Sequence, residues 1–103
     1  SAPAATELDP AQVAQIIRSR QRAIQGCYEK ELKRDSSLAG KIEVRFTIGS
    51  NGQVKSAAVI HNSMGSPSVG SCIVKRIRSW RFPESAGDDL TVAFPFIFTP
   101  SAY

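Results

Sequence analysis

The sequence predicts an α+β domain, a three-stranded antiparallel sheet with two helices on one face, in the order α-β-β-α-β. Three observations carry this. Two stretches place apolar residues at three- and four-residue spacing behind a cap-then-proline start. Two others alternate apolar and polar residues with period two. Between them Ser50-Asn51-Gly52 supplies a hairpin turn into a further extended segment. Strands that are apolar on one side only require both helices to cover that same side.

The first helix starts at Asp9-Pro10-Ala11-Gln12, with an acid at the cap, proline in the first turn and glutamine three residues after the cap. Val13, Ile16, Ile17, Ile24, Cys27, Tyr28 and Leu32 form its apolar stripe. Arg18, Arg22, Glu29, Lys30 and Lys33 form its solvated face. One long helix is expected, ending near Arg34, before Asp35-Ser36-Ser37.

In GKIEVRFTIG, Ile42, Val44, Phe46 and Ile48 alternate with Lys41, Glu43, Arg45 and Thr47, the pattern of a half-buried strand. The return strand runs from Gln53 to about His61. Its apolar residues Val54, Ala57, Val59 and Ile60 alternate poorly, so the pattern does not say which of them face inward. Ser66-Pro67 starts a second helix, whose stripe of Val69, Cys72, Ile73, Ile77 and Trp80 carries it to Trp80. A polar loop from Glu84 to Asp89 precedes a last strand with Leu90, Val92, Phe94, Phe96 and Phe98 on one side and Pro95 within it.

The stretch RIRSWRFP, Arg76 to Pro83, interleaves basic and aromatic side chains as a nucleic-acid surface would. The helical stripe gives it a plainer meaning. Ile77 and Trp80 are the last turns of a core face, and Phe82 is where the chain turns down into the sheet. Arg76, Arg78 and Arg81 project elsewhere as a local basic patch, favourable at a helix C-terminus.

With 103 residues, 42% of them hydrophobic, the chain suits one domain. Residues 1–8 read as the end of a linker, 9–100 as the domain and 101–103 as a tail, so the chain reads as a piece of something longer. No stretch approaches the run of about 20 apolar residues that spans a bilayer, and no secretory signal opens the sequence. The net charge of +4 is scattered and by itself names no partner. Cys27 and Cys72 lie too far apart for a CxxC motif. Both fall on helix stripes facing the same side, so a bridge is feasible; two free core thiols are the alternative.

No catalytic, cofactor or metal site is expected. His61 is the single histidine, at the end of a strand beside Asn62 and Ser63, without the partners of a triad or metal site. Asp88 and Asp89 read as turn residues. Gly49, Gly52, Gly65 and Gly70 belong to turns or a helix start rather than a phosphate loop.

The hairpin GKIEVRFTIGSNGQVKSAAVIHNS, the helix end VKRIRSWRFP and the last strand VAFPFIF together resemble the TonB C-terminal domain, over about residues 38–99. Within that superfamily the resemblance is to the AgmX/PglI C-terminal type, found in gliding-motility proteins of myxobacteria. It rests on the cysteine of the first helix and on the run Cys72-Ile73 through Ile77 to Trp80, Phe82 and Pro83. The resemblance implies a paired Cys27 and Cys72, no enzyme activity, and a periplasmic domain of an inner-membrane-anchored protein. Its partner would be a periplasmic or outer-membrane protein, contacted in proton-motive-force-driven work. It also implies an order with the first strand between the other two, and partner binding by strand addition at Leu90, Thr91, Val92, Ala93, Phe94 and Pro95. A proline in that strand is tolerated where its missing N–H faces outward, which marks an edge and favours pairing at Thr91 and Ala93; the alternative is that Pro95 only guards the edge against aggregation.

Rival readings remain beside it. A nucleic-acid module would need aromatics on the open sheet face, where Lys41, Glu43, Arg45 and Thr47 offer none, so no nucleic-acid partner is expected. A homotypic assembly module would pair the open edge with its own copy, as a homodimer. Peptidoglycan binding would run through Arg76, Arg78 and Arg81.

Overall fold

A computed structural model of the chain describes residues 9–100, so the expected linker end, 1–8, and tail, 101–103, lie outside the described residues. Asp9 caps α1 (Pro10–Ser19) as its sequence requires: its carboxylate accepts from Gln12 N–H at 2.8 Å, and Gln12 Oε1 accepts from Asp9 N–H at 3.0 Å. The helix does not run on to Arg34. At Arg20 the backbone leaves helical geometry, with φ −113° and ψ 11°, and α2 (Gln21–Leu32) begins afresh. Among the described residues three helices therefore replace the expected two, in the order α-α-β-β-α-β.

The physical reason lies in the stripe. Counting three and four from Val13 and Ile17 leads to position 20 before Ile24, and that position is an arginine. Ser19 adds to the break by turning its hydroxyl back to Ile16 O at 2.6 Å, the local competition that bends helices. Both pieces still bury their apolar faces, through Val13 and Ile17 in α1 and Ile24, Cys27 and Tyr28 in α2.

Strands β1 (Gly40–Ile48), β2 (Val54–Asn62) and β3 (Leu90–Phe98) form one antiparallel sheet in the order β2-β1-β3. Gly52 makes the hairpin turn with φ +85°, and an added Cβ there would collide with Phe82 O. Pairing of β1 with β3 is unbroken over nine residues. Pairing of β1 with β2 slips twice, so that Ile60 and Lys55 have no opposite number. Each extra residue is a β-bulge, and each inverts the parity of the strand beyond it. This is why β2 alternates poorly. Val54, Ala57, Val59 and Asn62 share the inner face, while Ile60 stands exposed.

Helix α3 (Pro67–Arg78) is capped by Ser66, whose hydroxyl accepts from Val69 N–H at 3.3 Å; it ends at Arg78, short of Trp80. Its buried residues Val69, Ile73 and Ile77 join those of α1 and α2 over Ile42, Val44, Phe46 and Ile48 of β1. The other side of β1 holds Lys41, Glu43, Arg45 and Thr47, none of them buried. All three helices thus cover one face and leave the other open. Each fully buried Ile, Leu or Phe contributes roughly 1.5–3 kcal/mol before chain entropy is counted.

Candidate functional site

The direction of each backbone group at the sheet edges is set by Lys41. Its N–H donates to Ser63 Oγ at 2.8 Å, and its carbonyl accepts from Ser63 N–H at 2.9 Å, so both groups point towards the β2 side. Backbone groups of consecutive residues in an antiparallel ladder point alternately left and right. Glu43, Arg45 and Thr47 therefore also point to β2. Their partners on β3 are Pro95, Ala93 and Thr91, and Lys41 faces Ile97. These four β3 residues turn their backbone groups away from β1, out of the sheet.

Among the described residues nothing pairs with the outward N–H groups of Thr91, Ala93 and Ile97 on the outer edge of β3. Pro95, which has none, falls at the one intervening outward position. All four side chains are exposed. Thr91 Oγ1 lies 2.9 Å from Thr47 Oγ1 across the strands, which orders this end of the edge. Leu90, Val92 and Phe94 point to the helix side and are half-buried. Phe94 packs on Phe96, with ring centres 5.0 Å apart, and neither ring reaches the open sheet face.

Ile97 is the edge residue that strand-pattern reasoning passed over. It is 73% exposed, on the open side beside Pro95. The signal was legible: in a strand whose apolar residues are Leu90, Val92, Phe94, Phe96 and Phe98, an isoleucine at the intervening parity is out of place.

Cys27 and Cys72 form a disulfide, with Cα atoms 5.7 Å apart, fastening α2 to α3. Such a bond persists in oxidising compartments. Beside it runs a cleft lined by Lys30, Arg34, Lys75 and Arg76, with Glu31 as its acid. The three arginines of the helix end are not drawn together. Arg76 faces this cleft, and Arg78 lines a groove between α3 and β2. Arg81 is held in a bridge with Gln53.

His61 is exposed on β2 opposite Glu43. Asp89 pairs with Lys55 at 2.8 Å, both side chains about half exposed, and so ties the loop before β3 to β2. Among the described residues no three His, Cys, Asp or Glu side chains cluster closely enough to hold a metal ion. Among them too, no helix is long and apolar enough to cross a membrane.

Two ionisable groups are shifted. Burial pushes the Tyr28 phenol above its ordinary range; its hydroxyl donates to Leu38 O at 2.6 Å, and its ring stacks on Phe98. Hydrogen bonds from the Ser37 hydroxyl and N–H hold Asp35 below the usual carboxylate value. Both groups order the turn that leads into β1, and neither lies at an open edge.

No protein-family model matches the chain. No solved structure matches it. Among curated proteins it is similar to a tyrosine-protein kinase, MasK, of Myxococcus xanthus (strain DK1622), with 32% identity over 83 residues. That alignment takes in 80% of this chain and 12% of the relative, so the chain spans a small part of that protein's length.

Proposed function

We propose that this chain is a non-enzymatic, TonB-like interaction domain of an inner-membrane-anchored protein, working in the periplasm of a gliding-motility or energy-transducing complex. Its partner is a periplasmic or outer-membrane protein, bound as an added strand along β3. The observation that carries this reading is the outward N–H row at Thr91, Ala93 and Ile97, with Pro95 placed where it costs the β1 ladder nothing. Unpaired edge groups are a template for strand addition. The disulfide supports an extracytoplasmic location. Similarity to a myxobacterial protein is in keeping with the gliding-motility resemblance.

The test is a photo-crosslinker at Ala93 of the full-length protein in its own cells, with the adduct identified by mass spectrometry. Capture of an envelope protein at Ala93, absent when the crosslinker sits at Lys30 in the cleft between α2 and α3, is the expected result. Capture of the same protein alone would make this a homotypic assembly module. Failure to capture anything would remove β3 as the contact strand.

A further inference from the structure

The opposite edge of the sheet is also open, and it is built differently. Val44 and Phe46 point their backbone groups to β3, because their neighbours Lys41, Glu43, Arg45 and Thr47 point to β2. Their partners Val59 and Ala57, lying between the two bulges, therefore turn N–H and C=O away from β1, to the outside. This edge is flanked along its middle by α3, whereas α2 lies beside only the far end of β3, at Phe96, Ile97 and Phe98. Between β2 and α3 lies a groove of about 750 Å³, floored by Ala57 and Val59 and walled by Gly70 and Val74. Small side chains keep it open. The helix is already close: a Cβ on Gly70 would come within 3.2 Å of Val59 Cγ2.

The groove is apolar at its floor and cationic at its rim, where Lys75 and Arg78 stand exposed; none of its lining residues is acidic. Outward backbone pairs at residues two apart fit an extended chain, whose alternate side chains would point into the groove. A helix would leave those groups unpaired. A basic extended chain would meet Lys75 and Arg78 with like charge. We infer that β2 and α3 form a second docking site, for an acidic extended segment of another protein that pairs with Ala57 and Val59, seats small apolar side chains against Val74 and sets carboxylates by Lys75 and Arg78. The site is separate from β3 and stands or falls independently of pairing there.

The test titrates the isotope-labelled, disulfide-intact chain with a short capped peptide alternating valine and glutamate, and tracks backbone amides by NMR. The expected result is shifts and slowed exchange at Ala57 and Val59, with Thr91 and Ala93 unmoved. Reversing the rim with Lys75→Glu and Arg78→Glu, both exposed, should weaken binding roughly tenfold. Ala57→Pro removes an N–H that the β1 ladder does not use, and should abolish binding while leaving the β1–β3 amide pattern intact. The inference is overturned by equal binding of a valine–lysine peptide, by shifts confined to β3, or by silence at Ala57 and Val59. It is overturned too if those two amides shift with protein concentration alone, which would make the occupant a second copy.

Discussion

The guanidinium carbon of Arg20 lies 5.6 Å from the centre of the Trp80 ring and 5.5 Å from that of Phe82. The residue that breaks the first helix thus fills the stripe position where an apolar side chain would belong, and caps the aromatic end of the core. One of its terminal nitrogens, Nη1, is buried without a hydrogen-bond partner among the described residues. Its worth therefore lies in stacking rather than in an ion pair. Arg20→Ala should cost about 1–2 kcal/mol. Arg20→Leu should cost less, because it removes the unpartnered nitrogen and keeps the bulk. Urea unfolding of both variants decides; a larger loss in Arg20→Leu would show that the cation itself is needed.

The disulfide closes a loop with sequence separation 45. In the chain-entropy account that bond is worth about 4 kcal/mol, a large part of the stability of so small a domain. Cys27→Ser paired with Cys72→Ser should lower the denaturant midpoint accordingly, and the reduced wild type should match the double variant.

At Gly52 the φ of +85° and the Phe82 carbonyl act together, since Phe82 N–H also donates to Gly52 O at 2.8 Å. Gly52→Ala must move the strand-like segment at Arg81 and Phe82, and should cost roughly 3 kcal/mol or more. Gly26 offers the control, for nothing lies within 4 Å of a Cβ there. Gly26→Ala, in the middle of α2, should stabilise by about 0.5–1 kcal/mol. Thermal melts of the two variants should move in opposite directions.

Tyr28 gives the domain an alkaline limit. Its pKa is raised in the fold, so above the ordinary phenol value of about 10 the unfolded chain ionises first and stability falls as pH rises. Below that value the neutral phenol adds its full share. Tyr28→Phe should lose about 1 kcal/mol at neutral pH with the bond to Leu38 O, and should flatten the decline above pH 10. Unfolding free energies across that range provide the check; an unchanged slope would mean that Tyr28 is not its cause.

Much of this architecture is written locally. The caps at Asp9 and Ser66 and the alternation of β1 can be read residue by residue, because one face of one element decides each. The kink at Arg20 is not so written. Its logic is a contact with Trp80 and Phe82, some sixty residues on, and only the assembled core explains an arginine in an apolar stripe. The bulges at Lys55 and Ile60 are hidden for the same reason, since parity in β2 has meaning only against β1. At the edge, Pro95 signals itself by its chemistry and Ile97 by its misplaced parity. The groove beside β2 has no signal in any one segment, because its floor and wall come from different elements.

The covalent tie between the helices also sets how the molecule can be stretched. Tension applied at the two ends of the chain crosses from Cys27 to Cys72 without passing through β1 or β2. The bypassed chain, 45 residue steps long, withholds roughly 150 Å of extension at full length. Only the lead-in through α1 and the start of α2, and the run from the rest of α3 through β3, can pay out, so the reach of the tether is capped for as long as its two sulfurs remain joined.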